Sequence, residues 1–543
     1  MPQLALTTSS TFPQMLLVLE LAGTKYLFAE RGPQTISMDG ADALFHPGLV
    51  SSEIELAIDL WGTSASSRSV SVQVDLANVV DTDTLFSIGV ALYQAKASLY
   101  LYAGGAFETA QRVASGFVRD PVYADPSDPR MFGFTIDRDF TERALYPSAG
   151  AYLRDDSFSL IGEVDDNDIG LFYPIIIGKP GATNRSLAGV VKTLQAVRAN
   201  VDATIGFESN ARIVVALGNI LATSCHIWSN VNHTDTVSLL TDTDDYGNLV
   251  TYADLTTAGT PHYFNDNDSG PTYVAFTQEG IAGPSGEGMR GVGDVVVWAL
   301  GLSSLAKTGD VDWNRVLANQ DKLNALGRVD TWIANRVKPL EWLLNDVLAY
   351  FPVFVADMGD GLYVDVWDYD PDSPPELYID TSIGGFERCA PVSWSSQTPA
   401  SKITVRGHIA ASGSYFTTVE YSGNPDDSAF DATYLVSGLN VIRRNELLSR
   451  SFQLFGENEI EIQVPTVQEP ATLDRIADFN VQKYALPTAS VGYIIPWRKT
   501  SVRPGMRVLV NDTGAGLTSA KGVISGFRYT AGTLQVKVSL LPH

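Results

Sequence analysis

Three glycines form the motif in this 543-residue chain that most resembles a site of chemistry. Gly286, Gly288 and Gly291 match GxGxxG, and they lie between a strand-like run and an apolar helical run. In dinucleotide-binding folds such glycines let a pyrophosphate approach the backbone at a helix N-terminus, and Asp310 or Asp312 would suit a ribose partner. The flanking chain lacks alternating strands and helices, so we interpret the glycines as a flexible linker.

Three Asp-rich fragments partly match calcium-binding loops. Asp242, Asp244 and Gly247 have the right spacing, but Tyr246 and Ala253 occupy positions that should supply ligands. Short fragments of this kind more often form turns in which carboxylates accept backbone hydrogen bonds. We therefore predict no metal-binding residue. The two other fragments are Asp266, Asp268 and Gly270, and Asp368, Asp370 and Asp372.

The six histidines and two cysteines show no catalytic or metal-binding spacing. Cys225 and Cys389 lie far apart, which favours small buried thiols over a zinc site or a disulfide framework. His226 and His233 are close in sequence but have no spaced third ligand, and neither HExxH nor GxSxG occurs. We predict no catalytic residue, no cofactor-binding residue and no cofactor, and we predict that the protein is not an enzyme. A triad assembled only in space leaves a hydrolase as an alternative.

The chain is acidic, with 62 acidic and 37 basic residues and a net charge of −25. Such a chain does not bind nucleic acid through its overall field, because phosphate binding depends on clustered Lys and Arg. The charge favours solubility. The longest apolar runs, such as Met15–Ala22 and Val295–Leu302, are far shorter than the roughly 20 residues that a bilayer requires. The N-terminal sequence resembles no signal peptide, so we expect folding in the cytoplasm where the protein is made.

Hydrophobic periodicity predicts strands at both ends of the chain and helices between them. In Ser52–Leu60 and Val70–Leu76 apolar and polar residues alternate, which is typical of half-buried strands. Asp294 is a plausible N-cap for a helix over Val295–Leu305, and Asp312 for one over Trp313–Leu326. Pro339–Phe351 carries a continuous apolar face and is predicted to be one helix. These patterns predict a mainly β, multidomain α+β protein.

Three segments, in this order, resemble tail-hub and tail-tip proteins of long-tailed, siphovirus-like bacteriophages. Tyr173–Gly181 (YPIIIGKPG) is similar to the proline, apolar run and glycine of an early strand in such proteins. The block Val295–Trp367, with Gly309–Trp313 (GDVDW) inside it, resembles their helical block and strand pair. The helix Leu473–Tyr484 and the run Arg503–Val510 (RPGMRVLV) resemble their closing barrel.

The resemblance implies a structural virion protein of the tail tip or baseplate. It implies a homotrimer that forms a ring around the DNA channel, with two tube-like barrels per chain and DNA passing without specific binding. Its implied partners are the distal tail protein, the tail tube, the tape measure and tip or fibre proteins, and its implied roles are host attachment and DNA ejection. The alternatives are a β-rich carbohydrate-binding adhesin and, less favoured, a tail-associated hydrolase.

The predicted domains follow these patterns and the resemblance. They are an N-terminal β-barrel or sandwich (1–145), a connector (146–185), a second β domain with Asp-rich loops (186–285), a helical block with a hairpin (286–390), a second tube-like β region (391–470) and a helix with a small C-terminal barrel (471–543).

Overall fold

The computed structural model describes most of the chain. The described residues are 14–21, 23–58, 60, 67–76, 92, 95–102, 104–125, 128–158, 162–163, 168–180, 191–192, 198–199, 212–228, 236–254, 273–276, 278–283, 286–395, 397–407, 417–430, 439–496, 502–530 and 533–542.

Strands dominate the N-terminal region. They are β1 (Gln14–Leu21), β2 (Thr24–Ala29), β3 (Gln34–Met38), β4 (Ala41–Pro47), β5 (Leu49–Ala57), β6 (Ser67–Asp75), β7 (Lys96–Tyr102), β8 (Gln111–Asp125) and β9 (Asp128–Asp137).

The middle of the chain contains shorter strands. They are β10 (Gly162–Glu163), β11 (Ile175–Ile177), β12 (Val191–Lys192), β13 (Arg198–Ala199), β14 (Arg212–Leu217), β15 (Ser224–Trp228), β16 (Val237–Thr243), β17 (Leu249–Asp254) and β18 (Tyr273–Phe276).

Helices and strands then alternate. They are α1 (Val292–Leu302), α2 (Ser304–Thr308), α3 (Trp313–Asn324), β19 (Thr331–Ile333), α4 (Pro339–Trp342), β20 (Val353–Asp357), β21 (Leu362–Val366), β22 (Leu377–Asp380), β23 (Glu387–Trp394), β24 (Lys402–Gly407), β25 (Thr418–Ser422), α5 (Leu439–Phe455), β26 (Glu459–Val464), α6 (Pro470–Tyr484), β27 (Ala489–Ile495), β28 (Arg507–Asp512), β29 (Leu517–Thr530) and β30 (Thr533–Leu540).

One large sheet joins the two ends of the chain. Its order is β23-β27-β30-β29-β5-β6-β9-β8-β7-β1-β2-β4-β3, with β28 beside β29 and β22 beside β28. The N-terminal and C-terminal strands meet where β29 pairs with β5 in antiparallel fashion, from Gly526 opposite Ala57 to Thr530 opposite Glu53. The period-two pattern of strands such as β5 and β30 places buried apolar side chains on one face of the sheet and polar side chains on the other.

Three smaller sheets contain all of the remaining strands except those of two short pairs. The order β12-β18-β15-β16-β17-β14 forms a peripheral sheet with its own apolar core, β25-β24-β26 forms a three-stranded sheet, and β20-β21 is a hairpin. Two short pairings, β10-β13 and β11-β19, complete the described pairs. The prediction of a mainly β, multidomain α+β protein is confirmed.

The helical block differs from the sequence prediction in two places. The first helix begins at Val292 with Gly291 as N-cap, so Asp294 is not the cap. Its carboxylate is instead occupied by side-chain amides of α3. The run Pro339–Phe351 is not one α-helix, because α4 passes into a π-helical turn, Leu343–Val347, and a 3₁₀ turn, Leu348–Tyr350.

The cap predicted for α3 is confirmed. The Asp312 side chain accepts a hydrogen bond from the Arg315 backbone nitrogen at 3.1 Å, which satisfies a free amide at the helix start. The central core runs from the apolar face of the large sheet into this block, where Leu343, Val347 and Leu348 are fully buried. Burial of the apolar face therefore fits the predicted pattern even where the helix type does not.

Candidate functional site

Two of the three glycines of the GxGxxG motif, Gly288 and Gly291, pack against the chain itself. A Cβ atom at Gly291 would lie 2.1 Å from Oδ1 of Asn324, and one at Gly288 would lie 2.4 Å from Cβ of Glu279. Asn324 Oδ1 accepts a hydrogen bond from the Asp294 backbone nitrogen at 3.0 Å, in the first turn of α1. The place where a phosphate would meet the helix is filled by this amide and lies beside a carboxylate, so the motif serves packing.

Two of the Asp-rich fragments form hydrogen-bonded turns. Asp244 is buried, and its carboxylate accepts from the Tyr173 hydroxyl at 3.0 Å and from the backbone nitrogens of Tyr246 and Asn248 at 3.0 and 2.7 Å. These bonds close the β16–β17 turn. Burial raises the pKa of Tyr173, so its hydroxyl keeps the proton that it donates.

The fragment near Asp368 is also a turn. The backbone nitrogen of Asp370 donates to Asp368, and that of Asp372 donates to Asp370, both at 2.9 Å. Lys521 lies 3.0 Å from the Asp372 carboxylate. The fragment around Asp266 falls outside the described residues. In the part of the chain that the structure describes, no three His, Cys, Asp or Glu side chains are placed to hold a metal ion.

The two described cysteines lie in different sheets, and so do the two described histidines. Cys225 is buried in β15, where burial raises the pKa of its thiol, and Cys389 is exposed in β23. His226 lies in β15 of the peripheral sheet, and His46 lies in β4 of the large sheet. The remaining histidines fall outside the described residues. Neither described histidine forms part of a catalytic constellation with the other.

The largest ordered array of polar side chains is one face of the large sheet. In β5, Ile54 and Leu56 are buried while Glu55 is exposed. At the junction with β29, Arg528 forms an ion pair with Glu53 at 2.5 Å. This contact lies on the polar face at the point where the N-terminal and C-terminal halves of the sheet join.

An open groove lies on the polar face across this junction. Residues from five successive strands, β5, β29, β30, β27 and β23, line it, and its volume is about 300 Å³. The groove is lined by charged, hydroxyl-bearing and small residues, including Glu55, Lys537, Gln535, Ser490 and Gly492.

Glycines and bulges lie along this groove. The pairing of β29 with β30 shifts register between Ile524 and Gly526, and that of β23 with β27 shifts between Arg388 and Ala390. A Cβ atom at Gly526 would lie 2.7 Å from the backbone oxygen of Leu56. Bulges and glycines let a sheet curve strongly at such positions.

The apolar face is covered by the helical block and by the β20–β21 hairpin. The turn of that hairpin is held to the N-terminal strands by two arginines. Arg112 donates from Nε to Asp360 at 2.8 Å. Arg138, almost fully buried, lies 3.4 Å from Asp310 and 3.9 Å from Asp357 and donates to the Gly359 carbonyl at 3.3 Å.

A helix–sheet layer is inserted between β23 and β27. It consists of β24, β25, β26, α5 and α6, and its two helices are joined by an ion pair. Arg444 is buried, lies 2.8 Å from Asp478 and 3.6 Å from Asp474, and stacks on the Tyr421 ring at 3.4 Å from its centroid. Burial raises the pKa of Asp478 to about 6, and Arg444 opposes that shift.

Sequence patterns did not single out these structural residues. Glu53 and Glu55 are identifiable as the polar side of an alternating strand, but nothing local predicts that Arg528 faces Glu53. Arg138 follows β9 immediately and carries no motif. Partners such as Asp310, Asp357 and Asp478 belong to segments that the resemblance singled out, but nothing local predicts which arginine each of them meets.

Comparison with solved structures finds proteins of similar architecture at low identity. A tail protein from Neisseria meningitidis MC58 matches with 11% identity and a TM-score of 0.39, over 97% of this chain and 96% of that one. The 43 kDa tail protein of prophage MuSo2 from Shewanella oneidensis matches with 11% identity and a TM-score of 0.37, over 97% and 98%.

A prophage tail protein, gp18, from Listeria monocytogenes EGD-e matches with 9% identity and a TM-score of 0.34, over 96% of this chain and 94% of that one. No protein-family model matches the chain, and no curated protein matches it. All three are described as tail proteins, two of them from prophages. Within the described residues, no helix has the length and apolar character needed to cross a membrane.

Proposed function

We propose that the chain is a structural subunit of a bacteriophage tail hub or baseplate and acts in the virion without catalysis. The observation that carries the proposal is the large sheet, which takes strands from both ends of the chain and has a polar and an apolar face. A ring around a water-filled channel needs a polar inner face and an apolar outer face covered by protein. This sheet supplies both.

In this proposal the polar face lines the channel. The helical block and the β20–β21 hairpin lie on the outer side, where they cover the apolar face. Opposite charges are paired at the junction, as with Glu53 and Arg528, and the whole chain is strongly acidic. An acidic chain with paired cations disfavours the binding of DNA phosphates, so DNA passes without being held.

The outer layers are proposed to meet the other tail proteins. The peripheral sheet has an apolar core of its own, whereas the apolar side chains of the inserted helix–sheet layer belong to the central core. Distal tail, tube, tape-measure and tip or fibre proteins are the partners that the sequence resemblance implies. Host attachment and DNA ejection would act through these contacts.

The domain division proposed from the sequence accompanies this function. In that division 1–145 and 391–470 are the tube-like regions that supply the ring, 471–543 is the small closing barrel, and the segments from 146 to 390 supply the outer layers. Limited proteolysis followed by mass spectrometry tests this division, since cuts should concentrate in the connector, 146–185, rather than inside β5–β9 or β27–β30.

Light scattering of the purified protein, followed by negative-stain imaging, tests the proposal. We expect particles of three times the chain mass of 58.6 kDa, with a central hole. A monomer at all concentrations, alone and with a tail-tube protein, would contradict it. A monomer that binds immobilised glycans would favour the adhesin alternative, and one that cleaves peptidoglycan would favour the hydrolase.

A further inference from the structure

The two helices of the inserted layer meet at a cluster of three charges. The guanidinium of Arg444, on α5, lies 2.8 Å from the Asp478 carboxylate and 3.6 Å from the Asp474 carboxylate, both on α6. Asp474 and Asp478 are at positions i and i+4, so they lie one turn apart on the same face of the helix. One cation therefore faces two carboxylates, and the cluster has an excess of one negative charge when all three groups are ionised.

Most of this cluster is shielded from water. The Arg444 side chain is 6% exposed and that of Asp478 is 22% exposed, whereas that of Asp474 is 49% exposed. The Tyr421 ring of β25 covers the guanidinium, with its centroid 3.4 Å from Cζ. Two carboxylates that share a poorly solvated site repel each other, so one of them keeps its proton to a higher pH. Asp478 is the more buried of the two and is the group that this geometry selects.

Other titratable groups surround the cluster from three elements. They are Arg475 on α6, Tyr421 on β25, and Tyr369, Asp368 and Asp370 in the segment after β21. Burial raises the pKa of Tyr369, so this phenol stays neutral beside Asp478, and Asp368 has its own cation in Arg507 at 3.3 Å. Burial also has the largest influence on Asp478 and raises its pKa to about 6, although Arg444 opposes the shift.

The contact of α5 with the rest of the layer is largely polar. This helix packs against α6 and β25. Among its described side chains, the buried ones are Arg444, Asn445, Leu447, Leu448 and Ser451. Near its C-terminus Leu454 and Phe455 are 62% and 50% exposed. Because α5 buries few apolar side chains, the charges at this contact have a large share in holding the helix in place.

We propose that Arg444, Asp474 and Asp478 form a proton-binding site that couples pH to the attachment of α5. When Asp478 is protonated, Arg444 faces one carboxylate and the charges balance. When Asp478 is ionised, the cluster holds an unbalanced negative charge in a poorly solvated place, and opening of α5 exposes that charge to water. The device lies within the inserted layer, so it operates in a single chain as well as in a ring of copies.

The direction of the pH dependence follows from the two states of α5. In the opened state Asp478 is in water and has its usual pKa of 3.8, whereas in the closed state its pKa is about 6. The closed state therefore binds more protons between these values. Its advantage is full below pH 3.8 and is lost as pH rises through 6, so opening increases with pH by at most about a hundredfold.

Hydrogen exchange of the full-length protein, followed by mass spectrometry from about pH 5 to about pH 8, measures this opening. Each exchange rate is compared with the chemical rate of an unprotected amide at the same pH, which gives the protection of that amide. We expect the protection of α5 to fall about tenfold over this range, because part of the closed state's advantage is already lost at pH 5. The protection of α3 should stay constant. Equal changes in both helices would overturn the proposal.

Asp478→Asn identifies the titrating group. The amide has nearly the shape of a protonated carboxyl and stays neutral at every pH, so the protection of α5 should no longer vary with pH. Asp321→Asn is the matched control, because Asp321 is an exposed carboxylate on α3, and it should leave the α5 profile unchanged. A wild-type profile in Asp478→Asn would refute the proposal.

Arg444→Gln separates proton binding from a merely structural role. Arg444 lowers the pKa of Asp478, so its removal should move the midpoint of the α5 profile to higher pH. A contact that only holds the two helices together would instead lower the protection of α5 equally at every pH. An unmoved midpoint in this variant would therefore contradict the proposal.

Discussion

Each half of the large sheet contains a series of four antiparallel strands, but the strands of the two halves are arranged differently along the sequence. Strands β5, β6, β9 and β8 all lie within residues 49–137. Strands β29, β30, β27 and β23 are divided by an inserted layer of three strands and two helices. The strands of the N-terminal half are therefore close together in the sequence. In the C-terminal half the inserted layer separates β23 from β27 in the sequence.

The halves also end differently. The N-terminal half continues through β7, β1 and β2 into the hairpin β3–β4, which covers it with a small apolar core around Phe45. The C-terminal half stops at β23, whose residues are nearly all exposed. Among the described residues, the N-terminal half therefore continues into a covering hairpin, whereas the C-terminal half ends at an exposed strand.

The largest expected effect concerns what anchors the N-terminal half. Arg138→Ala leaves the buried Asp357 carboxylate and Asp310 without their cation, so we expect a loss of about 3 kcal/mol in the free energy of unfolding. Chemical denaturation followed by circular dichroism measures it. Arg143→Ala is the control, because its ion pair with Asp139 is exposed and should contribute less than about 1 kcal/mol. Similar losses for both variants would show that the anchor is unimportant.

The next effect concerns the junction of the halves. Gly526→Ala places a Cβ atom 2.7 Å from the Leu56 carbonyl oxygen, so β29 and β5 must move apart there or their backbones must change conformation. We expect a loss of about 2 kcal/mol, measured in the same way. Gly384→Ala, whose Cβ would meet no atom within 4 Å, should change stability little. A neutral Gly526→Ala would mean that the close approach at the junction is not required.

A pH-dependent effect concerns the inserted layer. The folded pKa of Asp478 is raised to about 6 from its usual value of 3.8, so the folded state binds more protons than the unfolded state between these values. Its contribution to stability is therefore full below pH 3.8 and is lost as pH rises through 6, by at most about 1.4 kcal/mol per pH unit. Asp478→Asn should flatten this part of the pH profile of the thermal midpoint. An unchanged slope would contradict the assignment.

The smallest effect concerns the ion pair on the polar face. Arg528→Ala removes the contact with Glu53, and both side chains are partly exposed. Exposed pairs contribute about 0–1 kcal/mol, so we expect a change within that range in the free energy of unfolding. A double-mutant cycle with Glu53→Gln isolates the interaction. A coupling much above 1 kcal/mol would show that the junction depends on this pair.

Local features of the fold were predictable from the sequence. Ile54 and Leu56 alternate with Glu53 and Glu55, and the structure places these two pairs on opposite faces of β5. The cap at Asp312 was predictable because an aspartate preceding a helix satisfies its free amides. Such features depend on neighbours within a few residues.

The features that form the candidate site depend on distant residues. The pairing of β5 with β29 joins segments at opposite ends of the sequence, and an alternating pattern does not specify its partner. The π-helical turn at Leu343–Val347 keeps the predicted residues buried but adds a residue to the turn, which periodicity alone does not reveal. The polar face was therefore predictable as a set of residues, and the groove across its junction was not.

The pairing of β5 with β29 also has a consequence for synthesis. A ribosome makes β5 well before β29, so β5 waits without this neighbour while the intervening chain is translated. A chain released before β29 would keep that edge of β5 without its partner. The large sheet is therefore completed only when the β29–β30 hairpin has been made.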